Sequence, residues 1–224
     1  MSNTADRRIL VFAKAPIAGR VKTRLASDVG VAAALQLYKQ MLAHTIQLVV
    51  DSNIPTELWV DEPGHDYFKP WADSTLLSLR RQTNGDLGDR MAAAFARAFD
   101  ETNTKNKIES KTSTKVAPKI IAIGVDCPSI TAEYFDQAYA ALGESDCVLG
   151  PAQDGGYVLM GLRRPAPTLF EHIDWSTERV LRQTRQRAES AGLTVTEIDT
   201  LADIDRLEDL ALLRADQRFS EWCC

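Results

Sequence analysis

Lys119-Ile120-Ile121-Ala122-Ile123-Gly124-Val125-Asp126-Cys127-Pro128 is the stretch from which the fold can be read. Five of its first seven residues are apolar and three are isoleucine, the composition of a strand buried on both faces. Such strands belong to parallel sheets covered by helices, because only there do both faces leave water. An acid followed two positions later by proline ends the run, so Asp126 stands at the carboxyl tip of the strand, where open α/β sheets place their ligands.

Upstream, Arg7 to Ala13 (RRILVFA) predicts a first strand. Six basic residues, Arg7, Arg8, Lys14, Arg20, Lys22 and Arg24, and no acid lie between Arg7 and Ser27, in a chain whose 26 basic and 31 acidic residues leave it at -5 overall. The loop Lys14-Ala15-Pro16-Ile17-Ala18-Gly19-Arg20-Val21-Lys22-Thr23-Arg24-Leu25 joins this strand to a helix. A basic loop at a first βα turn suits phosphate groups, since side-chain cations and helix-start amides can converge there. The plainer reading is a solvated basic loop. It is not a P-loop, because Val21 precedes Lys22-Thr23 where that motif has glycine.

The alternation continues through the chain. Val31, Leu35, Tyr38, Leu42, Ile46 and Val49 predict a helix over about Gly30 to Asp51. Thr56 to Asp61 and Leu76 to Arg80 predict two strands. The segment Gly85-Asp86-Leu87-Gly88-Asp89-Arg90-Met91 opens a helix with Leu87, Met91, Phe95 and Phe99 on its apolar face. An Asp-capped helix start accounts for Gly85 and Asp86; after a strand, a nucleotide or sugar contact does so equally well. Residues 101–119, polar and rich in threonine and lysine, predict a surface excursion. Thr131 to Leu142 predicts a helix. Asp146 to Leu162 gives two short apolar runs about Asp154-Gly155-Gly156, where paired glycines let a ligand approach the main chain. A hairpin turn is the plainer account of that centre.

Trp175-Ser176-Thr177-Glu178 precedes a helix to about Ser190, with Ser176 or Thr177 as cap; Trp175 packs in the core, the favoured reading, or stacks on a ligand ring. Leu193 to Ile198 predicts an edge strand. Thr200-Leu201-Ala202-Asp203 has the form of a capping box for a last helix carrying Ile204, Leu207 and Ala211. Asp199, Asp203 and Asp205 are read as structural acids at that helix start. His44 and His65 receive no chemistry; His172 and Asp174 could approach a metal, though nothing local fixes that.

The whole predicts an open three-layer α/β/α, mostly parallel sheet. With 224 residues, 45% of them hydrophobic, the expectation is a single domain, 1–224. No apolar run has the length of a membrane helix and no signal-peptide core follows the polar start, so a cytoplasmic protein is expected. The acidic balance argues against nucleic-acid binding. The four cysteines match neither a zinc site nor a disulfide framework. The crevice offers cations for phosphates and carboxylates for Mg²⁺ or Mn²⁺, hard ions that oxygen ligands suit.

Five motifs in order carry a resemblance: Lys14-x-Pro16-x-x-Gly19-x-Val21-Lys22-Thr23-Arg24-Leu25; Gly85-Asp86-Leu87-Gly88-x-Arg90-Met91; Gly124-x-Asp126-Cys127-Pro128; Gly150-Pro151-Ala152-x-Asp154-Gly155-Gly156-Tyr157; and Trp175-Ser176-Thr177. Together they resemble the glycosyltransferase-A-like, nucleotide-diphospho-sugar transferase superfamily. Within it they resemble a little-characterised transferase group associated with radical-SAM and selenium-domain proteins. The Lys-Thr-Arg-Leu segment is also similar to the loop of phospholactate guanylyltransferases.

The resemblance implies that Lys14, Lys22 and Arg24 hold the nucleotide and that Asp126 binds the metal. The Asp-x-Asp usual in glycosyltransferases is reduced here to one acid, because position 124 is glycine and position 128 proline.

The leading expectation is a metal-dependent transferase using a nucleotide-diphosphate-sugar donor and a small-molecule acceptor. Asp126 and Asp154 are then the catalytic and metal-holding acids, and Lys14, Arg20, Lys22, Arg24, Gly85, Asp86, Gly155 and Gly156 form the nucleotide and phosphate site. The alternative is a nucleotidyltransferase acting from a nucleoside triphosphate on a phosphorylated small molecule. A non-catalytic nucleotide-binding regulatory module is a third reading.

Overall fold

The computed structural model describes residues 6–109, 117–213 and 218–219. One seven-stranded sheet holds β1 (Arg7–Ala13), β2 (Thr56–Val60), β3 (Leu77–Arg81), β4 (Lys119–Ile123), β5 (Cys147–Pro151), β6 (Tyr157–Leu162) and β7 (Val195–Glu197) in the order β3-β2-β1-β4-β6-β5-β7. The first four in that order run parallel, with Ile9 opposite both Thr56 and Ile121. Strand β6 is antiparallel to β4 and to β5, and β7 pairs parallel with β5 at the edge. The mixed, mostly parallel sheet predicted from the sequence is therefore present.

Strand alternation explains the layers. Ile9, Val11, Ile121 and Ile123 project into one core, while Leu10, Ile120 and Ala122 enter the other. Helices α2 (Val31–Asp51) and α4 (Ala132–Ala141) cover the first face through Tyr38, Leu42, Ile46, Phe135 and Tyr139. Helices α3 (Leu87–Glu109) and α5 (Val180–Ser190) cover the second through Met91, Phe95, Phe99 and Leu181. Each fully buried Leu, Ile or Phe contributes about 1.5–3 kcal/mol. A satellite core joins Leu25 of α1 (Thr23–Val29) to Leu37, Met41, Ile204 and Leu213.

Three local expectations change. Residues 101–109, expected in the surface excursion, continue α3 to Glu109, and residues 110–116 lie outside the described chain. Helix α5 begins at Val180 with Arg179 as its cap residue, so neither Ser176 nor Thr177 caps it. Ser176 instead adopts a left-handed backbone (φ 64), while the Thr177 hydroxyl donates to the Asp174 carbonyl at 2.7 Å. No α-helix begins at Ile204. Residues 198–204 run as a strap across the sheet end, and a 3₁₀ turn follows only at Glu208–Leu213.

Candidate active site

A cleft of about 820 Å³ opens at the carboxyl ends of β1, β3 and β4, and Lys14, Asp86, Arg90, Asp126, Asp154 and Asp203 are among its lining residues. Its first wall is the basic loop. The Tyr38 hydroxyl accepts from the Lys14 N–H at 2.8 Å and donates to the Lys14 carbonyl at 2.9 Å, fixing the start of the loop. Burial, reinforced by the Asp126 charge, pushes the Tyr38 phenol well above its ordinary range, so it stays a neutral hydroxyl that can do both. The Ala15 N–H donates to Asp61 Oδ1 at 2.7 Å.

Arg20 pairs with Asp61 and Glu62, and Arg24 pairs with Asp205 at 2.6 Å. Lys22 takes a left-handed backbone at the α1 cap (φ 47) and turns inward until its side chain is only 3% exposed. Its ammonium donates to the Ile204 carbonyl and lies 2.7 Å from Asp126 Oδ1. Three of the four cations expected at phosphates therefore stand paired with acids. Lys14 is exposed, and among the described residues it forms no ion pair.

Strand β4 ends at Ile123, and a Cβ built on Gly124 would meet nothing within 4 Å, so the approach to Asp126 is open. Asp126 Oδ1 is buried against Lys22 without a hydrogen bond of good angle, while half of the side chain remains exposed to the cleft. Every third residue of the strap is bonded to the sheet or to the segment after β4. Ile198 N–H donates to Leu149, Leu201 N–H to Pro151 and Ile204 N–H to the Asp126 carbonyl, at 3.0, 3.0 and 2.8 Å.

This brings Asp203 beside Asp126 and Asp154. Burial, with the charges of Asp154 and Asp126, raises the Asp203 carboxyl above its ordinary range, and Lys22 opposes that shift. Asp154 Oδ1 accepts from Gly156 N–H at 2.8 Å across the β5–β6 turn. Gly155 (φ 88) lies against the backbone of Glu178, and its carbonyl accepts from Leu181 N–H at 3.0 Å. The glycine there is required by conformation and by contact.

The facing wall is the start of α3. Asp86 and Asp89 bond each other's backbone N–H at 2.9 and 3.1 Å, the reciprocal cap that their spacing allows. Trp175 packs directly on Gly88, where a Cβ would collide with its indole, and meets Tyr157 edge-on at 6.5 Å. The Tyr157 hydroxyl is buried beside Thr184 and has no well-formed hydrogen bond. Cys127 also lines the cleft, and burial pushes its thiol up to about 12.

Every site residue expected from the sequence except Gly85 and Gly155 lines this one cleft, and those two shape its walls. Asp203, Gln82, Arg90 and Trp175 line it as well. Of these, Asp203 had a sequence signal, an acid in Asp199-x-x-x-Asp203-x-Asp205, which the capping-box pattern masked. Among the described residues no three His, Cys, Asp or Glu side chains stand ready as a metal cage. Oxygen donors without a finished cage fit Mg²⁺ or Mn²⁺, which are commonly held by one or two carboxylates plus substrate phosphates and water. No helix among the described residues is long and apolar enough to cross a membrane.

The sequence profile of a family described as "Uncharacterized protein conserved in bacteria (DUF2064)" matches residues 44–177. No curated protein matches the chain. A crystal structure of a proposed nucleotide-diphospho-sugar transferase from Desulfovibrio desulfuricans G20 is similar, at 27% identity and TM-score 0.80, over 96% of this chain and 93% of that one. Two more distant structures share the fold. The inositol-1-phosphate CTP transferase from T. maritima has 15% identity and TM-score 0.52, over 97% of this chain and 96% of that one. Rv0371c from Mycobacterium tuberculosis H37Rv, in complex with manganese, has 12% identity and TM-score 0.53, over 94% and 99%. The family match and the Desulfovibrio structure support the superfamily, though not a radical-SAM or selenium association.

Proposed function

We propose that this chain, which belongs to the DUF2064 family, is a metal-dependent transferase that takes a glycosyl group from a nucleotide-diphosphate sugar to a small-molecule hydroxyl. The observation that carries the reading is that Asp126, Asp154 and Asp203 line the same cleft as Lys14, with the charges of Asp154 and Asp126 acting on the Asp203 carboxyl. The relative from Desulfovibrio desulfuricans supports it by description and by close shape.

In this reading Asp126 and Asp203 would hold Mg²⁺ or Mn²⁺, and a bound ion would supply positive charge to neutralise the leaving diphosphate. Asp154, on its glycine turn, takes the proton of the acceptor hydroxyl as that oxygen bonds to the sugar carbon. The bond from that carbon to the diphosphate breaks, and the nucleoside diphosphate leaves. Lys14 faces the phosphate chain, while the Lys22 ammonium holds Asp126 and the strap in register.

Nucleotidyl transfer is the second reading, favoured by one observation: Asp126 lacks an acidic neighbour at positions 124 and 128, and the nearby acid comes from the strap. A phosphate-bearing acceptor would then attack the α-phosphate of a nucleoside triphosphate and release pyrophosphate. The inositol-1-phosphate CTP transferase is a fold relative of that kind.

Incubation with Mn²⁺ and a panel of UDP- and GDP-sugars tests the first reading by release of nucleoside diphosphate. CTP and GTP with phosphorylated small molecules test the second by release of pyrophosphate. Turnover abolished in Asp126→Asn with nucleotide binding retained supports transfer chemistry. Nucleotide binding with no turnover by the parent protein in either panel supports the silent regulatory module.

A further inference from the structure

We propose that Arg90, together with Lys14, forms the subsite for the phosphate chain of the donor nucleotide, a role not expected for this arginine from the sequence. The proposal rests on the nucleotide reading above and deepens it by locating the anion.

Five cations line the cleft, Lys14, Arg20, Lys22, Arg24 and Arg90. Arg20 pairs with Asp61 and Glu62, Lys22 with Asp126, and Arg24 with Asp205. An anion binding to any of these must compete with a carboxylate already in contact. Arg90 differs. Its Nε and Nη2 donate to the Gly85 carbonyl at 3.1 and 2.9 Å, and its Nη1 donates to Gln82 Oε1 at 3.3 Å.

Both acceptors, the Gly85 carbonyl and the Gln82 amide oxygen, are neutral, so the full positive charge stays uncompensated by any ion pair among the described residues. The nearest acids in sequence, Asp86 and Asp89, bond each other's backbone N–H. A guanidinium has five N–H donors in a planar fork, so two remain for a ligand once these three are made. The bonds also fix the fork's orientation, which reduces the entropy lost on capturing an oxyanion.

Gln82 links Arg90 to the backbone that leads into Lys14. Its Nε2 donates to the carbonyls of Ala13 and Trp59 at 2.8 and 2.9 Å while its Oε1 holds Arg90. Arg90 is therefore linked through one amide to the carbonyl immediately before Lys14. The acids Asp126, Asp154 and Asp203 gather beyond the β4 and β6 tips. A cleft lined both by these acids and by two cations without carboxylate partners suits a chain of phosphates that meets a divalent ion at one point and a guanidinium at another.

The test is isothermal titration of the full chain with inorganic pyrophosphate, in the parent, Arg90→Gln, Arg90→Lys and Lys14→Gln proteins, with thermal melts of each. Pyrophosphate responds to the cations whether the chain moves glycosyl or nucleotidyl groups. Arg90→Gln should weaken pyrophosphate roughly ten- to a hundredfold. Arg90→Lys should restore only part of that, because an ammonium lacks the fork. Lys14→Gln, at an exposed side chain, should weaken pyrophosphate with an unchanged melting temperature, and this keeps the proposal testable if Arg90→Gln unfolds.

The proposal is overturned if the parent does not bind pyrophosphate, or if the affinity is unchanged in either Arg90→Gln or Lys14→Gln. It is also overturned if glycerol phosphate displaces pyrophosphate and no nucleoside triphosphate or nucleotide sugar does, which would assign the anion to an acceptor. Arg90-dependent displacement by a nucleotide supports the subsite. A nucleotide that binds there without turnover in any panel leaves the subsite standing and removes the transferase reading.

Discussion

Lys22 Nζ lies 2.7 Å from Asp126 Oδ1 and also donates to the Ile204 carbonyl, so one buried ammonium ties together the α1 cap, the tip of β4 and the strap. The Ile204 N–H closes the same link on the Asp126 carbonyl at 2.8 Å. This knot sets where Asp203 stands relative to Asp126.

Lys22→Met should therefore destabilise the protein. It leaves the Ile204 carbonyl without its charged donor and Asp126 without its counter-ion. Half of the Asp126 side chain is exposed, so the cost falls below that of a wholly buried pair, at about 1–3 kcal/mol. Urea unfolding monitored by circular dichroism measures it, and an unchanged midpoint would show that the knot does not hold the strap.

Arg24→Ala should do much less. The Arg24–Asp205 pair is exposed, with 57% of the arginine side chain in water, and such pairs contribute at most about 1 kcal/mol. The same urea titration should find a change within about 0.5 kcal/mol. The contrast between two cations of one loop checks the assignment of Lys22 as the buried link.

Gly155→Ala should be costly for a different reason. The residue sits at φ 88, and an added Cβ would lie 2.8 Å from the Glu178 Cα and closer still to its carbonyl oxygen. Neither is a flexible side-chain end, so the turn bearing Asp154 must shift. A loss of about 2–4 kcal/mol is expected by urea unfolding, with activity falling further than stability explains, since Asp154 moves with the turn.

The acid limb of the stability curve should depend on Asp146. Hydrogen bonding from Arg164, with Arg163 and Thr194, holds its carboxyl well below the usual range. A folded value below the unfolded one, about 3.9, means that the carboxylate contributes stability above that pH. The contribution fades as pH falls through the interval below it. Asp146→Asn should be less stable than the parent at pH 7 and lose less on acidification from pH 5 toward pH 2, read by thermal melts across that range.

The fold was legible in the sequence because its decisive signals are local. Ile120, Ile121 and Ile123 specify a strand buried on both faces wherever they occur, and the helical periodicities of α2 and α4 place their apolar stripes. Asp126 at a strand tip followed from the same reading. The pairing of Lys22 with Ile204 did not, since 182 residues separate them and no local pattern shows which cation turns inward. Asp203 was hidden by a competing rule: Thr-x-x-Asp before apolar residues predicts a helix cap, but pairing of the strap with Leu149, Pro151 and Asp126 prevails. The contact of Trp175 with Gly88 likewise depends on how α3 and the segment before α5 pack.

The measurement closest to the central claim is Mn²⁺ binding to the full chain with a saturating nucleoside diphosphate, followed by the paramagnetic signal of free Mn²⁺, in the parent, Asp126→Asn and Asp203→Asn. If the two acids hold one divalent ion with the phosphates, each substitution should weaken Mn²⁺ at least about tenfold while the fold persists. An Asp203→Asn protein that binds Mn²⁺ as tightly as the parent would contradict the account.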